Sequence, residues 1–130
     1  EAQRLMDVTK KSLYKAIGQI KPGRRLGDVQ NAVETFAKLH NMGLVRDYCG
    51  HGIGRNFHEE PTVFHFRNNF KSARIEAGHV FTVEPMINAG KPGVKVLNDK
   101  WTAVTKDGSL SAQWEHTFVM TENGLEILTY

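Results

Sequence analysis

Three short stretches of this chain carry side chains able to hold a metal ion or move a proton. The first runs Tyr48-Cys49-Gly50-His51-Gly52-Ile53-Gly54-Arg55-Asn56-Phe57-His58-Glu59-Glu60-Pro61. Glycines at 50, 52 and 54 strip bulk from around His51, which lets its imidazole and the nearby backbone approach a ligand closely. The same pattern also describes a glycine-rich turn with an incidental histidine. His58 sits between Phe57 and Pro61, whose apolar surfaces suit the wall of a small pocket. The second stretch, Val80-Phe81-Thr82-Val83-Glu84-Pro85-Met86, puts a carboxylate in an apolar strand, where alternation groups Thr82, Glu84 and Met86 on one face. Burying a carboxylate there is costly unless it is hydrogen-bonded, paired or bound to metal. An exposed edge strand, which Pro85 would tolerate, is the other reading. In the third stretch, residues 110–120, alternation sends Glu115 to one face with Gln113 and Thr117, and His116 to the other with Trp114 and Phe118. Glu115 and His116 therefore cannot enter one site without a bulge. Taken alone, Glu115 reads as a solvated glutamate.

One imidazole and two carboxylates form a donor set for Zn, Mn, Fe or Co rather than for a thiolate-loving metal. Three protein ligands leave coordination positions open, as catalytic sites do. The spacings, 33 residues (84 − 51) and 31 residues (115 − 84), are too long for a local motif. His51, Glu84 and Glu115 meet only if the fold brings three strands together.

The elements that must do this are legible as periodicities. Leu5, Met6, Val8, Leu13, Ala16, Ile17 and Ile20 recur at three- and four-residue steps, predicting a helix over residues 4–20 that stops at Lys21-Pro22-Gly23. A second helix is predicted over 28–42, with Asp28 as N-cap, Val29, Ala32, Val33, Phe36 and Leu39 inward, and Gly43 as a left-handed C-cap. The pattern then shifts to short β-type runs at 44–49, 62–66, 79–86, 94–98 and 101–105. Two more strands flank Glu122-Asn123-Gly124, where Asn-Gly signals a two-residue hairpin turn. Asn98-Asp99 and Asp107-Gly108 read as further turns. Helices first and strands after give an α+β class: two N-terminal helices backing a curved antiparallel sheet, in a single domain over residues 1–130.

Composition narrows the function classes. With 130 residues, 40% of them apolar and 24% charged, the chain is globular and large enough for a core. Net charge is +3 (17 − 14) with the basic residues dispersed, so nothing supports nucleic-acid binding. No apolar run approaches the roughly 20 residues of a membrane-spanning helix. The alternating glycines lack the strand-glycine-helix setting of a dinucleotide loop. Cys49 is the only cysteine and can form no internal disulfide, which fits a reducing compartment, the cytoplasm. The opening Glu1-Ala2-Gln3-Arg4 has neither a start methionine nor a secretion-signal layout, so the sequence reads as beginning inside a longer one.

Four ordered motifs carry a family likeness: Tyr-Cys-Gly-His-Gly-Ile-Gly-Arg at 48–55, Phe-His-Glu-Glu-Pro at 57–61, Phe-Thr-Val-Glu-Pro-Met at 81–86 and Ser-Ala-Gln-Trp-Glu-His-Thr at 111–117. They resemble type I methionine aminopeptidases, and the likeness runs from the Leu13-Tyr14 helix to Leu125-Glu126-Ile127-Leu128-Thr129. The resemblance implies the C-terminal half of that family's pita-bread fold. It implies His51, Glu84 and Glu115 as metal ligands, with Glu115 bridging two divalent ions (Co, Mn, Fe or Zn) in the intact site. It further implies that His58 contacts substrate and stabilises the tetrahedral intermediate and that Glu84 shuttles a proton. Phe57 and Trp101 would line the methionine pocket, with Cys49 nearby. The substrates would be the N-terminal segments of nascent proteins, from which methionine is removed by a water that the ions activate. Two further aspartate ligands, a substrate-binding histidine and much of the pocket belong to the family's other half and have no match here; Asp99 and Asp107 match no ligand position. The expectation is thus a catalytic half that is inactive alone and pairs with its N-terminal half. Because the fold also has non-enzymatic relatives, the alternative is a peptide- or protein-binding half-fold with at most weak metal affinity.

Overall fold

The computed structural model describes residues 1–129. Two helices, α1 (Ala2–Ile17) and α2 (Leu26–Leu39), precede ten strands: β1 (Gly43–Leu44), β2 (Gly50–Gly52), β3 (Glu59–Val63), β4 (Val80–Val83), β5 (Met86–Asn88), β6 (Val94–Val96), β7 (Ala103–Thr105), β8 (Ser111–Gln113), β9 (His116–Thr121) and β10 (Gly124–Ile127). Every strand pair is antiparallel. The class is α+β, as the segregation of helix and strand patterns predicts.

Both helices are displaced from their predicted bounds. Helix α1 stops at Ile17, and Ile20 reaches the core on a tight turn closed by its N–H to Ile17 O at 3.0 Å. Its inner face is Leu5, Val8, Leu13 and Ala16 with Thr9 and Ser12, whose hydroxyls bond back to Leu5 O and Thr9 O; Met6 is exposed. Helix α2 begins two residues before Asp28, after Arg25, and no side chain caps it. Asp28 lies in the first turn, where its charge suits the helix dipole. Leu39 faces solvent, and the buried face runs through Leu26, Val29, Val33 and Ala37. The left-handed residue after the helix is Asn41 (φ 56°), not Gly43. Gly43 is needed for another reason: a Cβ there would collide with the backbone of residues 90–92.

The strands form a five-stranded sheet, β10-β9-β4-β2-β3, a three-stranded sheet, β1-β5-β8, and the β6-β7 hairpin. The two larger sheets are halves of one curved surface. Strand β4 pairs with β9 and β5 with β8 on a single register: Phe81↔Phe118 and Val83↔His116 sum to 199, as do Met86↔Gln113 and Ile87↔Ala112. The ladder is interrupted only at Glu84-Pro85 and at Trp114-Glu115, so the predicted 79–86 strand divides at the carboxylate. Likewise only Leu44 of the predicted 44–49 strand is in a strand, β1, and residues 45–49 lie between β1 and β2. The helices pack on one side, where Phe81, Val83, Ile87, Phe118 and Met120 join Leu5, Leu13, Val29 and Val33 in one apolar cluster. The turns at Asp99 and Asp107 form as read, and the hairpin turn has two residues but sits one position earlier than Asn-Gly, since Gly124 already pairs with Thr121. Glu122-Asn123 joins β9 to β10. Asp99 accepts the N–H groups of Trp101 and Thr102, and Asp107 those of Lys91 and Ser109.

Candidate metal centre

The interruption in the sheet gathers the candidate residues. Continuing the 199 register across it sets Glu84 directly opposite Glu115 (84 + 115 = 199). Opposed residues of an antiparallel pair point to the same face with Cβ atoms roughly 5 Å apart, and like charges so placed repel. On the other flank Gly52↔Phe81 sums to 133, which sets His51 opposite Thr82. Glu84 and Thr82 thus share the face away from the helices, since Phe81 and Val83 point into the core.

Hydrogen bonds fix two of the three side chains. Thr82 Oγ1 accepts the His51 N–H at 3.0 Å and donates to Glu84 Oε1 at 2.8 Å. Gln113 Nε2 donates to Glu84 Oε2 at 3.1 Å. His51 Nδ1 lies 2.9 Å from Gly52 O. A carbonyl only accepts, so in the neutral ring Nδ1 carries the proton and the Nε2 lone pair is free. Nε2 stands 3.6 Å from Glu84 Oε1, and the two side chains are 12% and 14% exposed. This excludes the solvated-edge reading of Glu84. Burial pushes its carboxyl above the ordinary range, and the Glu115 charge adds to this; the Thr82 bond, the His51 ring and the Gln113 bond act in the opposite sense.

The donor set passes a simple fit test. Two ligands each about 2.1 Å from one ion lie roughly 3.0–3.4 Å apart, close to the His51–Glu84 separation. The imidazole is held in the ligating tautomer by a carbonyl, as metal-bound histidines usually are. The opposed carboxylates form the kind of charge excess that a divalent cation relieves. Glu115 itself is exposed, and among the described residues no three His, Cys, Asp or Glu side chains close into a group that could hold an ion on their own.

The other candidates separate into two places. The loop 53–58 between β2 and β3 folds back so that the His58 ring lies 4.2 Å from that of His51 and Phe57 lies 5.3 Å away, centroid to centroid. Glu59 fastens this loop, taking the Asn56 N–H at 2.8 Å. Cys49 is half-buried just before β2; burial, then the Glu84 and Glu60 charges, push its thiol up, so it is no activated nucleophile. Trp101 is 79% exposed at the end of the β6-β7 hairpin and stacks on no ring among the described residues. His116 turns away as alternation requires, edge-on to Tyr14 of α1 and to Phe118.

Two features differ from the sequence reading. Gly50 and Gly52 are accounted for by strand packing, because a Cβ on either would strike the carbonyl of Thr82 or Glu60. His65 goes unnoticed in the run Val63-Phe64-His65-Phe66, yet it is buried, with its pKa lowered to about 4 by desolvation, and it contacts Glu84. A lone histidine among aromatic residues was the only signal for it.

The interruption in this α+β sheet brings an imidazole beside one carboxylate and sets a second carboxylate on the opposite register position, a donor set that suits a divalent ion. The chain belongs to metallopeptidase family M24, whose model matches residues 1–122. It is 49% identical over 127 residues to the methionine aminopeptidase of Escherichia coli strain K12, covering 98% of this chain and 48% of that protein. Among solved structures, methionine aminopeptidase from Rickettsia prowazekii superposes with a TM-score of 0.93 at 45% identity, covering 99% of this chain and 52% of the other. Prolidase from Pyrococcus furiosus, 24% identical, shares the fold with a TM-score of 0.72 over 100% of this chain and 33% of its own. The chain spans about half the length of the curated relatives it matches.

Proposed function

We propose that this chain is the C-terminal half of a methionine aminopeptidase catalytic domain, with His51, Glu84 and Glu115 as its share of a two-ion centre. The observation that carries this is the His51 Nε2 to Glu84 Oε1 approach of 3.6 Å, with Glu115 on the register position opposite. Divalent ions (Co, Mn, Fe or Zn) would supply the Lewis acidity that lowers the pKa of a water and polarises a carbonyl. Glu84, its carboxyl pushed up by burial, takes the proton from the attacking water and returns it to the amine nitrogen as the C–N bond breaks. His58, its ring beside and tilted against that of His51, donates an N–H to the developing oxyanion. Phe57 and Trp101 flank the methionine side chain, with Cys49 as a neutral thiol beside them. The substrate is the N-terminal segment of a nascent protein in the cytoplasm.

The chain alone does not turn over, in this reading. The family's two aspartate ligands have no match in residues 1–130, and the three ligands present form no closed group among the described residues. Calorimetric titration with Mn2+ and an assay of methionine release from a Met-Ala-Ser peptide test this, with and without a segment supplying the other half of an M24 domain. The expected result is fewer than two ions and no turnover alone, and two ions with turnover after addition. Two ions and turnover by the chain alone would show that the account of the missing aspartates is wrong. The highly exposed Phe57 and Trp101 favour one second reading, a non-catalytic half-fold that binds peptide or protein. Peptide binding with no turnover after addition of the other half would establish it.

A further inference from the structure

His65 is 2% exposed, lies in the loop after β3, and has no part in the chemistry above. Its Nε2 stands 3.1 Å from the backbone nitrogen of Glu84. The register explains why that nitrogen needs a partner from outside the ladder. Strand β4 ends at Val83, and the β2–β4 register (52 + 81 = 133) would set Glu84 opposite Cys49, where β2 has not yet begun. A buried N–H left unpaired loses the hydrogen bond that water would have given it, so the break in the sheet demands an acceptor. We propose that His65 is a positioning residue for Glu84, its Nε2 accepting the backbone N–H that the break releases from the sheet. This rests on the reading of Glu84 as ligand and proton carrier.

The consequence is that Glu84 is held at its amide and at both carboxylate oxygens. His65 holds its amide, Thr82 its Oε1 and Gln113 its Oε2, which leaves the carboxylate no free rotation beside His51. An acceptor nitrogen carries no proton, so the His65 ring is the Nδ1–H tautomer. The loop that carries His65 is itself anchored on both sides. Val63 is fully buried in β3, and the Arg67 N–H donates to Glu34 Oε2 on α2 at 3.1 Å. A ring so held can locate a backbone within a few tenths of an ångström, the tolerance that ligand geometry needs.

The test uses the 130-residue chain without and with Mn2+. In the metal-free wild type, ring 15N shifts should show His65 Nε2 unprotonated, and the Glu84 amide should exchange slowly. His65→Leu removes the acceptor, whereas His65→Gln puts a carbonyl oxygen near the Nε2 position. Glu84 amide exchange should quicken about tenfold in His65→Leu and stay within about threefold in His65→Gln, while Phe81 and Phe118 exchange alike in all three. Mn2+ affinity should fall roughly 10- to 100-fold in His65→Leu and recover in His65→Gln, the usual cost of losing an outer-shell partner. A protonated Nε2 in the wild type would overturn the proposal whether or not His65→Leu folds. So would unchanged Glu84 exchange in a folded His65→Leu, or wild-type Mn2+ affinity there while Glu84→Gln binds weakly. If Glu84→Gln binds Mn2+ as tightly as wild type, the ligand reading of Glu84 fails instead, and the exchange result alone judges His65.

Discussion

Thr82 is the joint between His51 and Glu84, and replacing it tests whether the centre is built as described. The residue is 1% exposed; its hydroxyl accepts the His51 N–H at 3.0 Å and donates to Glu84 Oε1 at 2.8 Å. Thr82→Val keeps the shape and removes both bonds. The orphaned amide costs roughly 1–3 kcal/mol and the lost bond to a carboxylate roughly 1.5–3 kcal/mol. Gln113 still holds Oε2, and the extra buried methyl offsets about 0.8 kcal/mol, so the net loss is about 2–5 kcal/mol. Thr82→Ser retains the hydroxyl and loses one buried methyl, about 1 kcal/mol. Urea unfolding at pH 7, followed by circular dichroism, reads both variants. The Thr82 bond is among the influences that hold the Glu84 carboxyl down, so a 13C titration should find that carboxyl higher still in Thr82→Val and unmoved in Thr82→Ser. A Val variant as stable as the Ser variant, or a Glu84 that titrates alike in both, would refute the relay.

Three further outcomes follow from other parts of the chain. The Glu34 side chain is 4% exposed and bonds Arg46 at 3.0 Å, Lys38 at 3.1 Å and the Arg67 N–H at 3.1 Å; burial raises its pKa, but the Arg67 bond and the Lys38 and Arg46 charges outweigh this and leave it lowered. A lowered folded pKa gives stability that is present above the unfolded value of 4.5 and lost as pH falls through the folded one, so Glu34→Gln should cost roughly 1–3 kcal/mol at pH 7 and converge with wild type in acid unfolding curves. Gly50→Ala sets a methyl against the Thr82 carbonyl and should part β2 from β4, losing roughly 2 kcal/mol or more in urea and quickening exchange of the Ile53 amide, which bonds Val80 O. Trp101→Ala removes an exposed ring, so stability should stay within about 0.5 kcal/mol while, in a completed domain, KM for a Met-Ala-Ser peptide rises; an unchanged KM removes Trp101 from the pocket.

What could be read from the sequence depended on whether a residue's role was local. The helix-then-strand order, the Asp99 and Asp107 turns and the opposite facing of Glu115 and His116 follow from periodicity and turn chemistry, and the structure reproduces them. The ends of both helices did not follow. The uncapped start at Arg25 is set by tertiary bonds to the 72–73 backbone, the left-handed turn at Asn41 closes on the helix's own carbonyls at Ala37 and Lys38 without needing a glycine, and Gly43 answers to the backbone at 90–92, not to a helix end. The opposition of Glu84 and Glu115 is a register fact, invisible until β4–β9 and β5–β8 are aligned. His65 was hidden for the same reason, since its value lies in a backbone amide 19 positions away.

The register also separates what folds the chain from what arms it. Alternation along β4 sends Phe81 and Val83 to the helices, where they meet Phe118, Met120 and Leu13, and sends Thr82 and Glu84 to the opposite face. An ion held by Glu84 and Glu115, as proposed, would therefore lie outside the apolar core and would contribute to stability only its own binding free energy, roughly 2.7 kcal/mol at a hundredfold excess over Kd. Small zinc modules, whose metal stands in for a core, behave in the opposite way and unfold when it is removed. Excess EDTA should accordingly lower the thermal midpoint of the Mn2+-loaded chain yet leave one cooperative transition with native circular dichroism below it. A chain that loses cooperativity in EDTA would place the ion within the folding core, and the assignment of two independent faces to this sheet would have to be abandoned.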